Sequence, residues 1–283
     1  MNIDTLVSDI YALFSRPVAF DPARVESFGQ RLAQRIANKY AEERGEPTLR
    51  LSNIGHPPRK LWYEINHPEL AEPLPPAARM KFLYGDILEE KLLFLAREAG
   101  HDVKNEQKEV EIAGVRGHID GDIDDVLVDV KSASTFSFNR FASGLKAEND
   151  SFGYLSQLGS YRRAGGYPRS AFLVSDKTLG HICLDEHSGE DTTDYAVLID
   201  THRRNLRSPE PPERCYPDEA EGKSGNRKLG VQCSYCPFKK TCWADSNDGR
   251  GLRTFLYARG PVFFTTLVRE PKDVLESTEG NQT

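Results

Sequence analysis

Residues 115–133 read Val-Arg-Gly-His-Ile-Asp-Gly-Asp-Ile-Asp-Asp-Val-Leu-Val-Asp-Val-Lys-Ser-Ala. From Val126 onward the period is two. Val126, Val128 and Val130 take one face of a strand, and Leu127, Asp129 and Lys131 take the other. An acid and an amine therefore share a face. Asp120, in Gly117-His-Ile-Asp-Gly121, stands at the end of the neighbouring strand, and a hairpin between the two strands brings Asp120 and Asp129 together. Two such carboxylates repel unless a cation sits between them. Hard oxygen ligands with open positions favour Mg²⁺ or Mn²⁺, and an ion of that kind polarises a phosphodiester and activates water. A lysine beside it neutralises developing charge or positions the nucleophile. The alternative is a turn aspartate followed by a solvated strand face.

Working outward, a long helix is expected from about 77 to 99, with Gly100 just past its end. At about 100° per residue, Asp86, Glu90 and Arg97 fall on one polar face. Glu89 lies off it, on a stripe with Gly85 and Ala96. Small residues on that stripe would let the helix approach the sheet and carry Glu89 inward, so Glu89 is preferred to Glu90 as the third acid. C-terminal to the strand, Gln157-Leu-Gly-Ser-Tyr161 puts Gln157 and Tyr161 on one helical face, with Arg162 and Arg163 next to them. That group suits a phosphate backbone. A core tyrosine with a solvated glutamine is the alternative.

Helices are expected at 2–15 and 21–44, the second opened by the Asp21-Pro22 start signal. A loop from Arg50 to Lys60 feeds a short helix at 61–66, and Pro68, Pro73, Pro75 and Pro76 mark a linker. Strands are expected at 103–112, 115–120, 126–131, 170–175 and 180–184, and helices at 151–165 and 190–206. The order implies a mixed α/β (α+β) fold, a small mixed central sheet flanked by helices. Four regions follow: N-terminal helices at 1–48, a core at 49–206, a cysteine-rich region at 207–250, and a tail at 251–283 that opens on a strand pair.

The chain has 283 residues, with 37 Lys and Arg against 43 Asp and Glu, a net charge of −6. Its apolar content of 38% and its 14 Phe and 11 Tyr exclude a disordered chain. No apolar run approaches the ~18–20 residues of a membrane span, and the start carries no secretory pattern, so the expected location is the cytoplasm. The acidity excludes a uniformly basic coat for nucleic acid but not a local basic groove. One such stretch is Gly222 to Trp243, which holds Lys223, Arg227, Lys228, Lys239 and Lys240 and no acid, interleaved with Tyr235, Phe238 and Trp243.

In order and spacing these motifs resemble the RecB-type branch of the PD-(D/E)xK nucleases, over roughly residues 50–245. Gly85 to Glu89 is similar to that family's Gly-x-x-x-His/Glu helix motif, with Glu where many relatives have His. Gly117 to Asp120 resembles its Gly-x-x-Asp, Asp129 to Lys131 its (Asp/Glu)-x-Lys, and Gln157 to Tyr161 its Gln-x-x-x-Tyr. The resemblance implies Mg²⁺- or Mn²⁺-dependent cleavage of DNA. Glu89, Asp120, Asp129 and the Val130 carbonyl would hold the metal, and Lys131 would orient or activate water. Gln157 and Tyr161 would contact the strand. In style the likeness is to phage-encoded exonucleases that feed recombination or replication, which makes DNA ends the substrate and recombination or replication proteins the partners. Arg50, Ser52 and Arg59 also resemble the 5′-phosphate pocket of phage-lambda-type exonucleases. A structure-selective or nicking endonuclease, and a non-catalytic DNA-binding module held by zinc, are the alternatives.

Five cysteines without a signal peptide make a poor disulfide framework. Cys233-x₂-Cys236-x₅-Cys242 bunches three thiols in a short loop, the pattern of a soft or borderline metal site. The same spacing closes the iron–sulfur cluster of RecB-type nucleases, whose first cysteine precedes the catalytic helix. Here that region, Gly55-His-Pro-Pro-Arg59, has none. Cys215 is the expected fourth ligand and His56 the runner-up. A 4Fe–4S cluster and Zn²⁺ both fit four thiolates. Cys183 reads as a buried thiol.

Overall fold

The structure is a computed structural model that describes residues 1–15, 17–41, 45–189 and 191–277. The expected helix end at 42–44 and the end of the tail at 278–283 lie outside the described residues. In chain order the longer helices are α1 (Leu6–Leu13), α2 (Pro22–Ala41), α3 (Pro58–Asn66), α4 (Pro76–Glu98), α5 (Thr135–Ala142), α6 (Tyr154–Gly165) and α7 (Tyr195–Leu206). The chain divides into two compact units, Met1–Gly55 with Pro75–Thr201, and His56–Leu74 with His202–Thr283. The fold class is the mixed α/β one read from the sequence; the division differs from the four expected regions.

The first unit holds strands β1 (Val103–Lys104), β2 (Glu109–Ile112), β3 (Val115–His118), β4 (Gly121–Ile123), β5 (Val126–Ala133), β6 (Ser170–Asp176) and β7 (Ile182–Glu186). The central sheet runs β1-β4-β5-β6-β7. Its β5–β6 pair is parallel and its other pairs antiparallel. The expected strand at 103–112 is broken. Asn105 and Gln107 take positive φ of 54° and 55°, which ends β1 and leaves β2 and β3 as a separate hairpin.

The period-two reading of β5 holds. Leu127 and Ala133 join Phe138, Phe141, Leu158 and Tyr161 in one apolar cluster, so that face meets α5 and α6. Val126 and Val128 join Ile3, Leu6, Ile10 and residues 92–96 in another, against α1 and α4. The N-terminal helices therefore share the sheet's core instead of standing apart as 1–48. Asp21 caps α2 as expected, its Oδ1 accepting from the Arg24 amide at 3.0 Å. Helix α5 was not expected from the sequence. Ser134 caps it, accepting from the Ser137 amide at 3.4 Å.

The second unit contains α3, three one-turn helices, α8 (Val231–Ser234), α9 (Lys239–Cys242) and α10 (Ser246–Gly249), and strands β8 (Glu219–Ala220), β9 (Arg227–Lys228), β10 (Arg253–Tyr257), β11 (Gly260–Thr266) and β12 (Leu275–Glu276). The strands form one antiparallel sheet ordered β12-β10-β11-β9-β8. Regions 207–250 and 251–283, expected as separate, thus share a ladder. Trp62, Tyr63 and Phe238 form a small core here, with Cys236 and Cys242 packed on it. Among the described residues, no helix is long and apolar enough to cross a membrane.

Candidate active site

The site forms where β4 and β5 part. Their ladder ends at Gly121 opposite Val128, which leaves the Val130 amide without a strand partner on that side. Asp120, immediately before β4, fills the gap: its Oδ2 accepts from the Val130 amide at 2.7 Å. Asp129, 3% exposed, stands one residue away on β5. Lys131 Nζ lies 2.7 Å from Asp129 Oδ2. The contact is an ion pair without hydrogen-bond alignment, so that buried oxygen has no hydrogen-bond partner. Lys131 also donates to Gln157 Oε1 at 3.2 Å and lies 4.7 Å over the Tyr154 ring. Gln157 in turn donates to the Tyr161 hydroxyl at 3.5 Å, so Gln157 and Tyr161 share a helical face as expected, and Gln157 also meets Lys131.

Helix α4 carries Glu89 to the same place. Its Oε1 accepts from Gln107 Nε2 at 3.0 Å and pairs with Arg35 of α2 at 2.5 Å. Glu90, expected on a solvated face with Asp86 and Arg97, is instead buried. It pairs with Arg31 at 3.1 Å and with Arg35 at 3.2 Å, because α2 covers that face of α4. Gly85 does approach β5. A Cβ there would meet Ser132 Oγ at 3.9 Å, an ordinary contact, so the approach does not require glycine. Gly117 is different. A Cβ would fall 2.6 Å from Tyr161 Cε1 and 2.9 Å from Leu51 Cβ, so β3 crosses the tyrosine ring where only glycine fits.

The electrostatics couple these groups. Burial holds the Asp120 carboxyl well above the usual carboxylate range, and the charges of Glu89 and Asp129 push it further; Lys131 and the Val130 amide oppose them. Burial likewise raises Glu89, with Arg35 opposing and Glu90 and Asp129 adding to the rise. For Lys131, burial alone would lower the ammonium, but Asp129 and Asp120 outweigh it and the net direction is up. Buried acids that raise one another, supplied by oxygen donors, with Asp129 Oδ2 unsatisfied, fit a hard divalent cation. Among the described residues, no three His, Cys, Asp or Glu side chains are already gathered at ligating geometry.

Other expected residues sit differently. Tyr161 is 4% exposed and belongs to the apolar core, so it orients Gln157 and does not face solvent as a strand contact would. Arg50 and Ser52 are exposed in the first unit. Arg59 belongs to the second unit, where it donates from Nε to Cys242 Sγ at 3.1 Å and from Nη1 to the Pro212 carbonyl at 2.5 Å. Sequence reasoning missed Arg35, Gln107 and Tyr154.

The four candidate thiols lie in the second unit within electrostatic reach of one another. Burial pushes Cys233 up to about 11, and Cys236, Cys242 and Cys215 add to the rise. Burial also raises Cys236 and Cys215. Thiolates are the donors a soft or borderline cation would take, but among the described residues these thiols are not gathered at ligating geometry. Cys215 is exposed. His56 Nδ1 stands 2.8 Å from Glu64 Oε2. Cys183, on β7, is half-buried, its thiol pushed up to about 12 by burial and Asp185.

No family model matches the chain, and no curated protein does. Among solved structures, the chain is similar to SSO0001 at a TM-score of 0.42 and 16% identity, over 76% of this chain and 93% of that one. It is similar to an alkaline exonuclease, LHK-Exo, from Laribacter hongkongensis at a TM-score of 0.33 and 15% identity, over 71% of this chain and 85% of that one. The complex of LHK-Exo with dAMP gives a TM-score of 0.30 at 15% identity, over 71% and 87% of the two chains.

Proposed function

We propose that the chain is a divalent-metal-dependent deoxyribonuclease of the PD-(D/E)xK type, acting on DNA ends as an exonuclease. The observation that carries the reading is the meeting of Glu89, Asp120 and Asp129, from three different elements, beside one buried lysine. Three ordinary surface acids have no reason to be drawn in like this, because burying like charges together is costly. Glu89, Asp120 and Asp129, with the Val130 carbonyl, would hold Mg²⁺ or Mn²⁺. The ion, when bound, would supply Lewis-acid polarisation of the scissile phosphate. Asp120, anchored on the Val130 amide, and Asp129, held by Lys131, are kept in place before substrate arrives. Lys131 holds a proton firmly, so it serves as a fixed positive charge and a donor to a water or phosphate oxygen. Gln157 fixes Lys131 and offers its own amide to the strand.

The second unit is read as a metal-held module, with Cys215, Cys233, Cys236 and Cys242 ligating a 4Fe–4S cluster or Zn²⁺ in a structural role. The partner is DNA.

The test is Mg²⁺-dependent digestion of end-labelled linear DNA beside a closed circle, with Lys131→Ala as control. Loss of linear DNA alone, reduced at least ~10²-fold in the variant, is the expected result. Cutting of the circle would make it an endonuclease. Binding without cleavage of either would overturn the enzymatic reading.

A further inference from the structure

The turn between β1 and β2 holds a residue that its backbone does not favour. The Lys108 amide donates to the Asn105 carbonyl at 3.1 Å, and within this turn Asn105 and Gln107 take positive φ of 54° and 55°. Asparagine tolerates that region, but glutamine is not among the residues enriched there. The turn is anchored without the side chain at 107. Asn105 Nδ2 donates to Asp122 Oδ2 at 2.6 Å, and the Tyr167 hydroxyl donates to the same oxygen at 2.9 Å. Arg97 pairs with Glu106, and the Ile119 amide donates to the Lys108 carbonyl at 3.1 Å. For the turn alone, asparagine or glycine at 107 would do better.

Gln107 is exposed, so no packing forces its side chain in any direction. It nonetheless turns onto Glu89, Nε2 donating to Oε1 at 3.0 Å. Arg35 pairs with the same oxygen. Among the described residues both donors to Glu89 thus fall on Oε1, and Oε2 is left open. The two donors differ in kind. A divalent ion at Glu89 would be repelled by the charge of Arg35, but not by the neutral amide of Gln107. An amide therefore orients the carboxylate without opposing the ion, as the partners behind metal ligands do. A disfavoured backbone conformation kept beside a chemical site points to a role for the side chain it carries.

We propose that Gln107 is a positioning residue of the metal centre: it holds Glu89 by Oε1 and leaves the other oxygen to the ion, and the turn keeps it there against its own backbone preference. The proposal rests on the nuclease reading and adds to that centre a residue outside the four motifs.

The test pairs titration calorimetry with Mg²⁺ and Mn²⁺ against urea denaturation, on the full chain and on two variants. Gln107→Asn suits the backbone and keeps an amide, one methylene too short to reach Glu89. Gln107→Gly also suits the backbone and removes the side chain. Both should have a urea midpoint at or above that of wild type, and both should bind the ions at least about tenfold more weakly. The opposite signs are the signature, because a residue that merely shaped the turn would move stability and leave ion affinity alone. Unchanged affinity in the variants, or a lower midpoint in both, would overturn the proposal while the nuclease reading stands. A wild-type chain that binds neither ion would overturn both.

Discussion

Arg35 sets the charge balance of the centre. It is the cation that faces Glu89, and it shares itself with Glu90. In the reading proposed above, a divalent ion bound to Glu89 has Arg35 as a neighbour of like charge. Arg35→Ala therefore has two effects of opposite sign. Mg²⁺ should bind at least about tenfold tighter, since tenfold is ~1.4 kcal/mol and a unit charge a few ångström away in a medium of effective dielectric ~20 is worth up to ~4 kcal/mol. The free protein should lose about 3 kcal/mol of stability, because among the described residues Glu89 then keeps Gln107 and Glu90 keeps Arg31. Titration calorimetry with Mg²⁺ and thermal denaturation of the same sample check both. An unchanged Mg²⁺ affinity would mean that Arg35 does not compete with the ion. No such competitor was visible in the sequence, where Arg35 is one of several polar positions on an amphipathic helix. Its partner Glu89 lies far along the chain, and no local period links them. Gln107 and Tyr154 were hidden for the same reason, whereas Asp129 and Lys131 showed themselves through the alternation of β5.

At the scale of elements, α4 shows how a sound placement can follow from an argument only partly right. Glu89 was assigned inward because Gly85 and Ala96 share its stripe. Ala96 is indeed fully buried, but an added Cβ at Gly85 meets only Ser132 Oγ at 3.9 Å. Glycine in a helix interior costs roughly 0.5–1 kcal/mol relative to alanine. Gly85→Ala should thus raise stability by about that amount, read as a higher urea midpoint with an unchanged slope, and leave Mg²⁺ binding intact. A fall in stability would show that α4 and β5 are in fact packed to the limit at this point. The sequence also misplaced Glu90, because a helical wheel shows a polar face but not the second helix that covers it. It missed α5, whose Ser134-x-x-Ser137 cap was present to be found, because Phe136, Phe138 and Phe141 mix a strand-like alternation with a helical one. The break between β1 and β2 came from Asn105 and Gln107 at positive φ; Asn tolerates that region, but Gln gives no such signal.

At the scale of the whole molecule, the two units are built on different grounds. The first has two apolar clusters on the two faces of one sheet. The second has strands of two residues at β8, β9 and β12, and a cluster of Trp62, Tyr63 and Phe238 on which Cys236 and Cys242 pack. Strands that short contribute little by themselves, which leaves β10, β11 and a few buried residues such as Trp243, Phe255 and Phe264 as the rest of this unit's core. A metal on Cys215, Cys233, Cys236 and Cys242 would add stability to it, since binding energy at a site absent from the unfolded chain is folding energy. Removal of the metal by a strong chelator should then loosen the second unit alone. Amides of β9, β10 and β11 should lose hydrogen-exchange protection, while those of β5 and β6 keep theirs. Cys236→Ser should do the same without chelator. A second unit that stays protected after complete metal release would show that the aromatic core and the β10–β11 ladder suffice, and the cysteines would then need another role. Because the first unit carries Glu89, Asp120, Asp129 and Lys131, its Mg²⁺ affinity should survive the treatment once the chelator is dialysed away.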